Sequence, residues 1–156
     1  MIPFQVVALD PAPFRPLYGL DSRALAGHGA EAQRVDRSPG FPCRVSLADA
    51  ALGETVLLLS HEHLAGATPY RARHAIFVRD GAERATPAVG EWPEVLARRL
   101  LSVRAFDARD RLVAADVTGG RQAPALVEWL LGQAAVRFLH VHNARHGCYL
   151  ARVERA

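Results

Sequence analysis

The sequence contains no lysine, only two cysteines, a single methionine and no long hydrophobic run. All 19 basic residues are therefore arginines, and with 16 acidic residues they give a formal net charge of +3. Every apolar run is shorter than the roughly 18 residues that a membrane-spanning helix needs, so no membrane partner is expected. Two cysteines are too few for a disulfide framework, and in a reducing cytosol both would be free thiols.

The length of 156 residues and the hydrophobic content of 50% are typical of one globular domain with its own core. They exclude a disordered or fibrous chain. We expect a single domain over residues 1–156. The N-terminus shows neither the basic segment nor the apolar segment of a secretory signal, so the sequence predicts a cytoplasmic location.

The arginines are spread along the chain rather than concentrated in one element. A nucleic-acid interface requires a continuous basic surface interleaved with aromatic residues. The observed pattern is more typical of solvated faces, so nucleic-acid binding is not favoured. The tightest groups are Arg34/Arg37, Arg71/Arg73/Arg79 and Arg98/Arg99.

Short apolar segments with strand-like patterns dominate the chain. Most neighbouring segments are joined by links too short for a crossover, which favours antiparallel pairing. Residues 27–42 lack periodicity and are expected to form an irregular connection. The eight expected strands are residues 4–9, 43–47, 55–60, 74–79, 101–107, 112–117, 136–142 and 148–154.

Two or three helices are also indicated by their start, spacing or end signals. Asp21 and Ser22 begin a short helix, and Pro93 begins another. Leu126, Trp129 and Leu130 have the spacing of a buried helix face. We therefore predict an α+β fold, a mostly antiparallel sheet of about eight strands with two or three helices packed on it.

The segment His140-Val141-His142-Asn143-Ala144-Arg145-His146-Gly147-Cys148-Tyr149 is the richest in chemically active side chains. If residues 143–147 form a hairpin loop, His142 and Cys148 are directly opposed and their side chains touch. An imidazole beside a thiol stabilises the thiolate, the reactive form of cysteine. The alternative is a structural pair, with Cys148 as a small buried hydrophobe and His142 held by the backbone.

A second candidate segment, Pro39-Gly40-Phe41-Pro42-Cys43-Arg44, is stiffened by two prolines just before a strand. Arg44 offers a planar fork for a carboxylate or a phosphate, or an ion pair with an acidic neighbour. Arg79 and Arg104 also lie in predicted strands, where a cation needs a partner or a ligand. For Arg104 we expect an ion pair with the diagonally placed Asp116.

The pairs His61/His63 and His140/His142 each place two imidazoles on one strand face, as some zinc sites do. No CxxC or HExxH motif accompanies them, so we predict neither a metal nor another cofactor. The Gly119-Gly120-Arg121 segment lacks the spacing of a phosphate-binding or dinucleotide-binding loop.

Four motifs occur in a fixed order along the chain: Pro39-Gly40-Phe41-Pro42-Cys43-Arg44, Gly53-Glu54, Pro69-Tyr70-Arg71 with Ile76-Phe77-Val78-Arg79, and His142-Asn143-Ala144 with Gly147-Cys148-Tyr149. Together they resemble the bacterial domain-of-unknown-function family number 1203, over a region from about Pro16 to the C-terminus. The resemblance implies a small bacterial protein and no particular chemistry. It also implies that Cys43, Arg44, Tyr70, Arg79, His142, Asn143 and Cys148 lie at family motif positions.

Two functional hypotheses follow from these residues. In the first, the protein binds an anionic small molecule, or is an enzyme centred on a thiol and a histidine, with a pocket between the Cys43 loop and the hairpin from His142 to Cys148. In the second, it is a non-catalytic module that binds a protein or a nucleic acid through its arginine-rich surface. A concave site favours the first hypothesis and a flat arginine face the second. The candidate catalytic residues are Cys43, His142 and Cys148, and the candidate ligand-binding residues are Arg44, Tyr70, Arg79 and Asn143.

Overall fold

The computed structural model describes all 156 residues and has an α+β fold. Its helices are α1 (Ser22–Ala26), α2 (Glu94–Ala97) and α3 (Ala123–Leu131), with a short 3-10 helix over Arg15–Leu17. None of these helices has the length and apolar character needed to cross a membrane. The ten strands are β1 (Phe4–Val7), β2 (Glu31–Arg34), β3 (Pro42–Cys43), β4 (Ala48–Asp49), β5 (Thr55–Leu64), β6 (Ala72–Arg79), β7 (Leu100–Phe106), β8 (Leu112–Gly119), β9 (Phe138–Asn143) and β10 (Tyr149–Arg155).

The strands form two five-stranded sheets rather than one sheet of eight. Sheet 1 has the order β1-β10-β9-β7-β8, and sheet 2 has the order β2-β5-β6-β3-β4. All pairs are antiparallel except β3 with β6, which pair in parallel through Cys43 and Phe77. The α+β class with mostly antiparallel pairing is therefore confirmed, whereas the expectation of a single sheet is wrong.

The two strands that the sequence did not predict are β2 and β4. β2 lies within residues 27–42, which were expected to be irregular, and its sequence Glu-Ala-Gln-Arg has no apolar alternation because the strand is largely exposed. β4 is only two residues long, too short for a periodic pattern. The strand expected over residues 43–47 is reduced to β3, and the chain turns at Leu47, where φ is 50°.

Each sheet has its own hydrophobic core. On sheet 1, Leu130 of α3 packs with Val103 and Val141. Beside sheet 2, Leu25 of α1 packs with Ile76. This arrangement buries one face of each short helix, which would not be stable in isolation.

The buried face of α3 differs from the one that its spacing predicted. Leu130 is fully buried, as expected, but Trp129 is 64% exposed and Leu126 is only partly buried. The buried stripe of this helix runs instead through Val127, Leu130 and Leu131, spacings of three and four residues that also place side chains on one helix face. Trp129 was therefore wrongly assigned to the core.

A β-bulge in β10 shapes the junction between the two sheets. Tyr149 lies opposite His142 and Ala151 lies opposite Val141, so Leu150 is an extra residue without a partner. Leu150 enters the core of sheet 1. The bulge leaves Tyr149 on the face of sheet 1 that meets sheet 2, where its ring contacts that of His142.

Gly120, the residue directly after β8, has a packing role. The N–H of Gly120 donates to the carbonyl of Arg99 at 2.7 Å, and its own carbonyl accepts from the Trp92 indole at 2.9 Å. A Cβ at this position would lie 2.1 Å from the carbonyl oxygen of Leu96. Only glycine therefore allows this close approach between α2 and the end of β8.

Candidate functional site

The hairpin of β9 and β10 has a register one residue away from the predicted one. His142 lies opposite Tyr149 rather than Cys148, and the N–H of Asn143 donates to the carbonyl of Cys148 at 2.9 Å. Gly147 closes the turn, because its φ of 79° lets its N–H donate to the Asn143 carbonyl at 2.7 Å. The loop thus begins after Asn143, and the prediction that His142 and Cys148 are cross-strand neighbours is wrong.

A cavity of about 570 Å³ opens between this hairpin and the segment around β3. Among the sequence-predicted site residues, Arg44, Asn143 and Cys148 line it. Because its wall contains three arginines, two histidines and no acidic side chain, we call it the basic cavity and expect it to attract anions. The other basic side chains in the wall are Arg37, Arg99, His74 and His146.

Arg44 is the most unusual of these side chains, since it is charged and only 2% exposed. Its Nε donates to the carbonyl of Tyr149 at 2.8 Å, its Nη1 to the carbonyl of Pro42, and its Nη2 to Sγ of Cys148 at 3.2 Å. None of these partners is a carboxylate. Burial lowers the pKa of Arg44, and the adjacent Cys148 opposes that shift. Burying a charge without an opposite charge is costly. Arg44 therefore lacks the anionic partner that usually neutralises a buried guanidinium.

The other two arginines of the basic cavity have partners of their own. Arg99 donates from both Nη atoms to Asp49, at 3.1 and 2.5 Å. Arg37 lies 3.5 Å from Asp36 and places its guanidinium over the ring of Phe41. The unneutralised positive charge of the wall therefore belongs to Arg44.

Three other predicted site residues lie away from the basic cavity. Cys43 is 1% exposed, and its Sγ accepts the N–H groups of Ser46 at 3.4 Å and Arg79 at 3.2 Å. The guanidinium of Arg79 lies 3.6 Å from the carboxylate of Glu54. Tyr70 is exposed in the loop between β5 and β6. The structure thus does not bring these three side chains to the thiol of Cys148.

The ion pair expected between Arg104 and Asp116 does not form. Arg104 lies opposite Ala115, and Asp116 lies opposite Val103, so the two charged side chains are on opposite faces of sheet 1. The Nε of Arg104 donates instead to the hydroxyl of Ser102 at 3.1 Å. That prediction placed the pairing of β7 with β8 one residue out of register.

Next to the basic cavity, histidines from both sheets gather around Tyr149. Nε2 of His63 lies 2.7 Å from Nδ1 of His74, a hydrogen-bond distance, and the two rings meet end to end with centroids 4.9 Å apart. His142 meets both rings edge-on, at 5.0 and 5.3 Å. Tyr149 stacks on His63 at 5.0 Å, and His140 lies edge-on to His63 at 5.4 Å. We call His63, His74, His140 and His142 the histidine cluster.

Burial keeps the histidine cluster neutral. It lowers the pKa of His63 to about 4, of His142 to about 3 and of His140 to about 2. Burial also lowers the pKa of His74, which lines the basic cavity. Each neutral imidazole has one N–H and one nitrogen with a lone pair, and either His63 or His74 uses its lone pair to accept the hydrogen bond between them.

The sequence revealed the histidine cluster only in part. The pairs His61/His63 and His140/His142 were recognised from their spacing. Both residues of the second pair belong to the cluster, but the first pair contributes only His63, because His61 packs on Phe14 and Tyr149. His74 carried no signal alone. Its position follows from the register of β5 with β6, which places it opposite His61.

The fold and site define an α+β protein of two mostly antiparallel sheets with a basic cavity beside a cluster of histidines. Residues 40–155 match the model of the family described as a protein of unknown function, DUF1203. The chain belongs to this family, as its motifs indicated. The matched region includes β3 to β10, and so the histidine cluster and every residue lining the basic cavity except Arg37. No curated protein and no solved structure matches the chain.

Proposed function

We propose that the protein binds a small anionic molecule in the basic cavity. The observation that carries this proposal is Arg44, a buried guanidinium whose protein partners are two carbonyl oxygens and one sulfur. A guanidinium has five N–H donors, three of its nitrogens each make one of these bonds, and two N–H groups remain for a ligand. A carboxylate or a phosphate matches this planar donor geometry and would neutralise the charge.

The size and lining of the basic cavity support a small molecule. A volume of about 570 Å³ lies in the usual range for ligand sites, roughly 300 to 1,000 Å³. Leu58 and Phe77 give the wall an apolar part, and Asn143 adds an amide. This combination suits a ligand with an anionic end and a less polar body.

A thiol-based reaction on that ligand is the second candidate. The contact between Arg44 and Sγ of Cys148 favours it, because an anion bound by Arg44 would lie beside the sulfur. His74 and His146 line the same wall and supply imidazoles. The types needed for nucleophilic catalysis are thus present around one thiol.

A binding module that uses the arginine-rich surface has less support. Arg71 and Arg73 both pair with Glu62, and Arg98 and Arg121 both pair with Glu94. These acidic side chains offset the positive charge that a phosphate backbone or an acidic protein surface would need.

The proposal is tested by titrating the chelator-treated protein with inorganic phosphate and with acetate, using calorimetry. We expect Arg44→Met to weaken binding roughly 10- to 100-fold, since hydrogen bonds to charged groups contribute about 1.5–3 kcal/mol. Arg23→Ala, at an exposed position on α1, is the control and should bind as the wild type does.

Because Arg44 is buried, circular dichroism must show that its variant folds. Asp49→Asn provides a second test, since it frees Arg99 in the same wall and should strengthen anion binding. If neither anion binds, or if both variants bind as the wild type does, the proposal is wrong.

A further inference from the structure

Three members of the histidine cluster are close enough to share one ion. His63 and His74 extend from sheet 2 and His142 from sheet 1, and one ring nitrogen of each lies within 4.8 Å of the other two. In a tetrahedral zinc site with Zn–N distances of about 2.0–2.1 Å, two ligand nitrogens are about 3.3 Å apart. Nε2 of His63 and Nδ1 of His74 are now 2.7 Å apart across a hydrogen bond, so the ion would replace that hydrogen bond and the two nitrogens would move apart to this distance.

The orientation of His142 is already that of a metal ligand. Its Nδ1 lies 2.9 Å from the carbonyl oxygen of Gly147, so Nδ1 carries the hydrogen and donates it. Its Nε2 then has the lone pair, and that atom is buried without any hydrogen-bond partner. Metal-binding histidines characteristically donate their second ring nitrogen to a carbonyl or a carboxylate, which fixes the tautomer and the ring.

Two further nitrogens in the cluster are also without partners. Nδ1 of His63 and Nδ1 of His140 are buried and unpaired, whereas Nε2 of His63 is hydrogen-bonded to His74. Unpaired polar atoms in a protein interior are costly and rare. Three such atoms occur in one cluster where imidazoles from two sheets converge, and the lone pair of His142 Nε2 is available there for a ligand.

We propose that His63, His74 and His142 bind one divalent zinc ion. Imidazole nitrogens are preferred zinc ligands, and these three side chains are partly or fully buried where the two sheets meet. The ion would link the two sheets at their junction. A zinc ion held by three histidines keeps a fourth position for water or for an anion, and His74 connects this site to the basic cavity.

The other two histidines of the recognised pairs are not part of this site. His61 packs its ring on Phe14 and Tyr149. His140 lies between Phe106 and Phe138, with centroids 5.3 and 5.1 Å away. The zinc proposal therefore combines one histidine from each pair with His74, a set that neither spacing alone indicates.

The test is a calorimetric titration of zinc chloride into chelator-treated protein, in a buffer free of phosphate. We expect one ion per chain, and we expect His74→Ala and His142→Ala each to weaken binding by roughly 100-fold or more, since loss of even a supporting group costs 10- to 100-fold. His61→Ala is the matched control, because His61 lies opposite His74 in the same sheet but outside the site, and should bind as the wild type does. Cobalt in place of zinc should give the intense visible absorption of a tetrahedral site.

Three outcomes would overturn the proposal. The first is that zinc does not bind the wild type below about 1 mM. The second is that binding survives both His74→Ala and His142→Ala. The third is that Cys148→Ser alone abolishes zinc binding, which would assign the ion to the thiol. His74→Ala changes a partly exposed residue and keeps the test decisive if the buried His142→Ala does not fold. The titration contains neither phosphate nor acetate, so zinc binding can fail here while phosphate binding through Arg44 persists.

Discussion

The guanidinium of Arg44 donates to the sulfur of Cys148 at 3.2 Å, which places a buried positive charge directly against a partly exposed thiol. The contact joins two segments that are distant in sequence, the one after β3 and the turn before β10. The second thiol, Cys43, is buried in the core beside sheet 2 and receives only backbone N–H groups. The two cysteines are therefore in different chemical environments.

We expect iodoacetamide to alkylate Cys148 in the folded protein and Cys43 only after unfolding, because Cys43 is 1% exposed. Arg44→Met removes the guanidinium that donates to Sγ of Cys148, so it should change the rate of alkylation of this thiol severalfold. Mass spectrometry of the labelled peptides over time measures both rates. Equal labelling of Cys43 and Cys148 in the folded state would contradict this prediction, and Arg23→Ala should change neither rate.

Acid should destabilise the metal-free protein through its buried histidines. His140 and His142 have pKa values of about 2 and about 3 in the folded state, against about 6.5 in the unfolded chain. Below about pH 6.5 the unfolded chain binds protons that the folded chain does not, so the free energy of unfolding falls as the pH falls towards about 3. Each histidine contributes at most about 1.4 kcal/mol per pH unit in this interval. Urea unfolding between about pH 7 and about pH 4, with a chelator present, measures the slope.

The variant His140→Phe should flatten this pH dependence. A phenyl ring fits beside Phe106 and Phe138 and cannot be protonated, and it also removes an unpaired Nδ1. His28→Ala, at an exposed position, should leave the slope unchanged. A wild-type stability that does not vary with pH over this range would show that these imidazoles do not titrate as described.

The ion pair of Asp49 with Arg99 should be strongly coupled. The Asp49 side chain is 4% exposed, and that of Arg99 is 13% exposed. Asp49→Ala leaves the charge of Arg99 buried and unpaired, so we expect it to reduce the free energy of unfolding by about 3–5 kcal/mol. Arg99→Met should cost less, because the carboxylate of Asp49 keeps Arg98 at 3.9 Å. The double variant should lose less than the sum, by about 1–3 kcal/mol. Urea unfolding of all four proteins measures the coupling, and strict additivity would contradict it. Arg71→Ala, in an exposed pair, should cost less than about 1 kcal/mol.

The sequence predicted those elements whose folding is encoded locally. The strands from β5 onwards have apolar runs bounded by turn residues, and α1 has a capping side chain in Asp21, which accepts the N–H of Ala24. The sequence did not predict β2, because this exposed edge strand pairs only with β5 and needs no apolar side chains. The division into two sheets depends on which strands pair, and no local pattern specifies that.

The candidate site was also predicted only where it depends on local sequence. The motifs drew attention to Arg44, Asn143 and Cys148, and these side chains share one cavity. The register of the hairpin that contains Asn143 and Cys148 was predicted wrongly. Gly147, with a φ of 79°, can close a loop of four or of five residues, and the sequence does not distinguish the two. The convergence of the histidine cluster could not be predicted, since it arises where two separate sheets meet.

Gly120→Ala should destabilise the protein far more than Gly119→Ala. At position 120 a Cβ would lie 2.1 Å from the carbonyl oxygen of Leu96, and backbone atoms of α2 cannot move aside without disturbing the end of β8. At position 119 the added Cβ meets only the side-chain oxygen of Gln122, at 2.5 Å, which can rotate away. Overpacking of this kind costs typically 1–3 kcal/mol, so we expect Gly120→Ala at the upper end of that range and Gly119→Ala well below it. Neither glycine has a left-handed backbone, so the difference in urea-unfolding free energy reports the steric contact alone. Equal losses for the two variants would show that the chain relaxes at this junction and that the glycine pair has another role.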